Sequence, residues 1–153
     1  MTIAPIKRSV VVGLSPARAF DAFTRDIGRW WPAPMHIGRA DFADVVLEPR
    51  EGGRWFERAA DGTETDWGHV LDWQAGKRLL LAWRIDATWQ FDPSLLTEVE
   101  VLFTPTDDGT RISLEHRRLE NFGESAARIV AMLEGGWSRP LDSFAAYLAK
   151  HHR

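Results

Sequence analysis

Residues 97–117 restrict the fold of this 153-residue chain more than any other stretch. Thr97 to Thr104 and Thr110 to Arg117 each alternate apolar and polar side chains, on either side of Asp107-Asp108-Gly109. Period two on both arms predicts an antiparallel hairpin. Two registers are open. With Asp108-Gly109 as the loop, Phe103 faces Leu114 and Val101 faces His116; with Asp107-Asp108, Phe103 faces Ile112 and Val101 faces Leu114. Either register gathers Val99, Val101, Phe103, Ile112, Leu114 and His116 on one face. The other face takes Glu98, Glu100, Arg111, Ser113, Glu115 and Arg117. A sheet with one dry face must be covered on that side and can meet water on the other.

The C-terminal segment supplies the cover. Ile129, Leu133, Trp137, Leu141, Phe144 and Leu148 recur at steps of three and four, which makes one helical stripe. Gly135-Gly136 and Pro140 fall inside it, and proline cannot donate to the carbonyl four residues back. The expected arrangement is a helix over 122–134, a kink or break at Gly135-Gly136, and a second helix to Lys150.

The remaining chain fits the same plan. Residues 7–13 read as a first strand. Ser15-Pro16 opens a helix whose apolar stripe is Phe20, Phe23, Ile27 and Trp30 or Trp31, closed by Pro32 and Pro34. Strands follow over 42–48, 54–58, 65–73 and 78–85, with turns at Gly52-Gly53, Asp61-Gly62-Thr63 and Ala75-Gly76-Lys77. Residues 86–95, with Trp89 and Phe91, form a loop before the last hairpin. No repeat or linker divides the sequence, so a single domain over 1–153 is expected. The class is α+β: a curved antiparallel sheet of six to seven strands around a long C-terminal helix, with two short helices after the first strand. The 8 Trp and 8 Phe, against 1 Tyr, supply flat apolar volume with few hydroxyls to satisfy.

Composition removes several chemistries. With no cysteine there is no disulfide framework, zinc–thiolate site, iron–sulfur cluster or Cys nucleophile. A net charge of −3 gives nonspecific nucleic-acid binding no global support. No phosphate loop, dinucleotide fingerprint, zinc-protease motif or nucleophile elbow is present. No metal and no cofactor are expected. The basic pair Lys7-Arg8 follows the apolar start rather than preceding it, and no run is long enough to span a membrane, so the expected location is cytoplasmic.

The histidines read differently from one another. His151 and His152 are tail residues facing solvent. His36, in the loop after the prolines, reads as an exposed loop histidine or as a gate to a cavity. His69 stands in a strand beside Trp67. His116 falls on the dry face, either as a core histidine with a satisfied hydrogen bond or as a polar group in a ligand cavity. No carboxylate pairs evidently with His69 or His116, and Glu98 and Glu100 read as solvated on the wet face.

A family resemblance rests on residues spread over nearly the whole chain. They are Ser15-Pro16, Phe20 and Trp30-Trp31, then Gly52-Gly53-Arg54-Trp55-Phe56, Asp61-Gly62 and Trp67-Gly68-His69-Val70. Leu80 with Trp83, Gly109-Thr110-Arg111-Ile112, Glu115-His116, and Gly136-Trp137 with Leu141 and Phe144 complete them. In this order they resemble the AHSA1-like group (activator of Hsp90 ATPase homologue 1) of the START-like, SRPBCC helix-grip superfamily. The resemblance implies seven strands gripping the C-terminal helix, with an apolar cavity between. It also implies binding of hydrophobic small molecules, with some members acting as cyclases or dehydratases. The first expectation, drawn from the aromatic-rich one-sided sheet and the lack of a catalytic motif, is binding of a small hydrophobic molecule, aromatic or acyl, without catalysis. The expected walls are Trp67, Trp83, Val101, Phe103, Leu114, His116, Leu133, Trp137 and Leu141. The phase of the strands carrying Trp67 and Trp83 is open. The second expectation is a cyclase or hydrolase using His116 or His69. The third is an Hsp90-type chaperone partner; the co-chaperone that names the group has a further N-terminal domain, which nothing here matches.

Overall fold

The computed structural model describes residues 3–151; the expectations for the first two residues and for His152 lie outside them. Strand β1 (Ile6–Val12) is followed by α1 (Pro16–Arg25) and the single-turn α2 (Ile27–Trp30). Ser15 caps α1, its side chain accepting from the backbone N–H of Arg18, with proline in the first turn. Then come β2 (Phe42–Leu47), β3 (Arg54–Ala59), β4 (Glu64–Gln74), β5 (Arg78–Trp83), β6 (Thr97–Thr106) and β7 (Gly109–Arg117). A 3₁₀ segment, Leu119–Ser125, leads into α3 (Ala126–Gly136) and α4 (Ser138–His151).

The seven strands form one antiparallel sheet in the order β1-β7-β6-β5-β4-β3-β2. It curls into a half-barrel around the C-terminal helices. The hairpin takes the Asp107-Asp108 register: Phe103 pairs with Ile112, Val101 with Leu114 and Val99 with His116. All six are at most 4 % exposed. On the outer face Arg78 bridges Asp72 and Glu100, and Arg117 bridges Glu98, Glu100 and Glu115. Glu98 and Glu100 are therefore bound into an ion-pair network, their side chains 12 % and 16 % exposed, rather than free in water.

The helices close the inner face. Ile129, Leu133, Trp137, Leu141, Phe144 and Leu148 are all buried. Phe20 and Phe23 of α1 meet Phe103 and Phe144 edge-on, with ring centroids 5.1–5.6 Å apart. The expected break moves by one residue. Gly135 and Gly136 finish α3, and Trp137 marks the joint while keeping helical dihedrals (φ −69°, ψ −23°). Pro140 sits in the first turn of α4, where its missing N–H costs little.

A bulge in β4 settles the phase that alternation left open. Trp55 pairs with Gly68, but the next residue, Phe56, pairs with Asp66, so Trp67 is an extra residue in β4. Gly68 faces Trp55 and Trp83 across the ladder. A Cβ on Gly68 would lie 1.7 Å from the Ala82 carbonyl oxygen, so only glycine permits this approach. The bulge lets Trp67 turn inward although His69, beyond Gly68, pairs with Arg54 and Ala82.

Candidate functional site

The site is built on Glu57, in the middle of β3. Alternation along that strand puts Trp55, Glu57 and Ala59 on the inner face, where they are 1 %, 1 % and 6 % exposed. Its neighbour Phe56 faces outward under the guanidinium of Arg54, 4.0 Å above the ring. A carboxyl group this deep needs donors on both oxygens. Oε1 accepts from the backbone N–H of Ile37 at 2.6 Å, the N–H of Gly38 at 2.9 Å and the indole Nε1 of Trp67 at 2.9 Å. Oε2 lies 3.1 Å from Nδ1 of His36. One side chain thus fastens the loop after α2 to the sheet. A Cβ on Gly38 would lie 2.8 Å from Oε2, so glycine lets the loop come this close.

His36 is held by this arrangement in one orientation. With the carboxylate accepting, Nδ1 carries the proton, and Nε2 keeps its lone pair. No described group bonds Nε2. His36 lines a cavity of about 330 Å³ together with Trp31, Pro34, Met35, Ile37, Trp67, Trp83, Ile85 and Trp89. That volume suits a ligand of two or three fused rings, near the lower end of the roughly 300–1,000 Å³ usual for small-molecule pockets. The indole N–H groups of Trp31, Trp67 and Trp83 bond to Met35 O, Glu57 Oε1 and Ile85 O. These three walls therefore offer ring faces and have no hydrogen bond left to give. Among the described residues no three His, Cys, Asp or Glu side chains converge, so His36 and Glu57 stand as a pair rather than part of a metal-ligand cluster.

Of the nine walls expected from sequence, the structure brings Trp67 and Trp83 to this cavity. Trp137 and His116 stand behind Trp83, with ring centroids 5.5 and 5.1 Å from it. Val101, Phe103, Leu114, Leu133 and Leu141 pack in the core between sheet and helix, each at most 5 % exposed. Tryptophan and phenylalanine rings fill the centre of the grip. The cavity lies beyond them, between the sheet and the loop after α2.

The other histidines have different surroundings. Nδ1 of His116 accepts from Trp137 Nε1 at 3.0 Å, and its Nε2 is 2.9 Å from Thr97 Oγ1. Thr97 in turn donates to the Trp83 carbonyl at 3.0 Å. Both ring nitrogens are occupied, and burial pushes its pKa down to about 3. His69 is half-buried, with Arg84 Nε 3.5 Å from its Nδ1; burial and then the Arg84 charge lower its pKa. His151 stacks on Tyr147 at 4.7 Å. Of the pair, His36 lines the cavity, and Glu57 behind it was not singled out in the sequence. Its signal was its place between Trp55 and Ala59 on a dry face.

Residues 14–149 match the family model described as Activator of Hsp90 ATPase homolog 1-like protein. The chain is similar to an anthrahydroquino-γ-pyrone synthase, Txn09, with 38 % identity over 95 % of this chain and 97 % of that one, at a TM-score of 0.65. It shares its fold with protein MLL2253 from Mesorhizobium loti: 19 % identity, 97 % and 99 % coverage, TM-score 0.71. It also shares its fold with DynU16 of the dynemicin biosynthetic locus, at 18 % identity and a TM-score of 0.67, covering 96 % of this chain and 48 % of that one. No match was found among the curated proteins.

Proposed function

The chain belongs to the Activator of Hsp90 ATPase homolog 1-like family, and from that premise we propose that it binds a flat hydroxylated aromatic molecule in the tryptophan-lined cavity and acts on it by acid–base catalysis through His36. The carrying observation is the pair itself: a buried carboxylate on Nδ1 of an imidazole that lines the cavity. Glu57 orients the ring, fixes its tautomer and steadies the imidazolium once it forms. His36 Nε2 takes the proton of a phenolic or enolic hydroxyl as that oxygen closes onto an unsaturated carbon of the same molecule. The proton then returns to the adjacent carbon. One O–H bond and one π bond are exchanged for a C–O and a C–H bond, so the step needs no oxidant, reductant or second substrate. Acid–base help of this kind is worth about 10²–10⁴ in rate. The similarity to Txn09, named as an anthrahydroquino-γ-pyrone synthase, supports a flat, hydroxylated substrate and ring-forming chemistry. The chaperone-partner expectation rests on the family description alone, and the geometry of the cavity adds nothing to it.

The test uses emodin, a hydroxyanthraquinone whose visible absorption moves to longer wavelength when a phenol ionises. Bound to the parent protein it should ionise at a lower pH than it does free, and His36→Ala should abolish that shift. Glu57→Gln is the sharper variant. Its amide still accepts from Ile37 and Gly38, but its N–H₂ now donates to His36 Nδ1, so Nε2 carries the proton and is no longer a base. Emodin that binds without ionising, equally in all three proteins, would leave a carrier with no acid–base role. No saturable binding at all would sink the cavity reading.

A further inference from the structure

Trp89 is the one cavity wall that sits badly by the rules of local structure. Its φ is +61°, a strained left-handed conformation that bulky side chains rarely adopt. The segment expected as a plain loop is a small hairpin. Ile85 pairs with Phe91, and Asp86 N donates to Gln90 O at 2.9 Å. Residues 87–89 make its three-residue loop, and Trp89 occupies the last position, where glycine or asparagine is usual.

The hairpin is firmly made. Asp86 Oδ1 accepts from Thr88 N at 2.9 Å, Thr88 Oγ1 at 2.7 Å and Gln90 N at 3.1 Å. Burial alone would raise the Asp86 pKa, but these hydrogen bonds outweigh it and hold the carboxyl below its usual range. Asp92 N donates to Arg84 O at 2.8 Å, and Arg84 Nη1 donates to the carbonyls of Pro93 and Leu95 at 3.0 and 2.7 Å. Trp89 is thus held out over the cavity rather than hanging loose.

The hydrogen bonds of the hairpin, not the indole, hold the Trp89 backbone in this conformation. Trp89 is 37 % exposed, and no described aromatic ring or hydrogen-bond acceptor engages its indole. Trp31, Trp67 and Trp83 differ on both counts: each is buried and each has its N–H bonded. Trp89 nevertheless lines the same cavity as they do. A strained, firmly positioned indole at the edge of a cavity lined by other indoles is placed to meet a flat ligand.

We infer that Trp89 is the specificity-determining wall of the cavity, stacking on the outer face of a planar ligand whose inner face meets the buried tryptophans. This rests on the ligand class proposed above and adds the element that selects for flatness. An acyl chain gains little from an aromatic lid, whereas a fused ring system gains a full stacking partner.

The decisive variant is Trp89→Gly, because glycine adopts φ +61° without penalty. It should melt at or above the parent temperature while losing the stacking face. Emodin affinity, read by quenching of tryptophan emission and by calorimetry, should weaken at least about tenfold. Affinity for decanoic acid should change by less than about threefold, so the preference for emodin over decanoic acid collapses. Trp89→Phe should keep most of that preference. Parent-like emodin affinity in a well-folded Trp89→Gly protein would overturn the role of Trp89 and leave the His36 reading standing. Failure of the parent protein to bind emodin would overturn both. Loss of emodin and decanoic acid binding together, with a lowered melting temperature, would make Trp89 a structural residue and also refute the inference.

Discussion

His116 is a polar side chain whose worth lies in staying neutral. Trp137 donates to Nδ1, so the ring proton is on Nε2 and points at Thr97, whose own hydrogen goes to the Trp83 carbonyl. This chain of bonds ties the helical joint to β6 and β5 through the core. Burial lowers the His116 pKa to about 3, whereas an unfolded histidine takes up its proton near 6.5. Between those values the unfolded state binds the extra proton and the folded state does not. Stability is therefore complete above about pH 7 and is lost as pH falls, with a slope approaching 1.4 kcal/mol per pH unit. Urea unfolding from about pH 7 to about pH 4 should show that slope in the parent and not in His116→Gln; subtracting the two series removes the carboxylate contribution. Parallel series would mean that His116 charges in the folded protein. The contrast with His36 separates the two residues' work. His116 has both nitrogens committed to protein partners, while His36 has one committed to Glu57 and the other on a side chain that lines the cavity.

At the scale of elements, the joint between α3 and α4 is the feature that propensity rules described best. Residue 140 is proline and cannot donate to the carbonyl of Gly136, and α3 ends there. Trp137 still keeps helical dihedrals, and its N–H bonds to Leu133 O at 3.0 Å. The apolar stripe therefore carries on across the joint, with Leu133, Trp137 and Leu141 all buried. Proline in a first turn costs little, because its N–H would lack a partner anyway. Pro140→Ala should accordingly change stability by no more than about 1 kcal/mol, since the regained donor is offset by the lost buried ring. A gain near 3 kcal/mol in denaturant unfolding would instead mark Pro140 as an interruption in one continuous helix.

Across the whole molecule, the legible parts were those governed by period and parity. The dry face of the last hairpin, the one-sided cover and the Ser15 cap follow from local chemistry, and the structure carries each of them. The Trp67 phase was not legible, because a bulge inserts one residue and breaks the alternation that a reader of sequence must assume. Trp89 was not legible as a hairpin residue, because the left-handed position carries none of the residues that signal it. The His36–Glu57 pair spans 21 positions, and only the folded sheet brings the proline-rich loop onto β3. Sheet and cover are mutually dependent, and this gives the last prediction. The inner face of β5, β6 and β7 carries Leu79, Leu81, Val99, Val101, Phe103, Ile112 and Leu114, all at most 4 % exposed. Removing everything after Gly135 deletes Trp137, Leu141, Phe144 and Leu148, which are 4 %, 2 %, 0 % and 5 % exposed, and uncovers the strands beneath them. Each such side chain contributes roughly 1.5–3 kcal/mol, so four rival the usual total of about 5–15 kcal/mol. The loss also strips His116 of its Trp137 donor, leaving a buried acceptor unpaired. The truncated chain should show no cooperative thermal transition and should bind dyes that report exposed apolar surface. A cooperative melt near the parent temperature would mean that the sheet holds its inner face by some means other than α4.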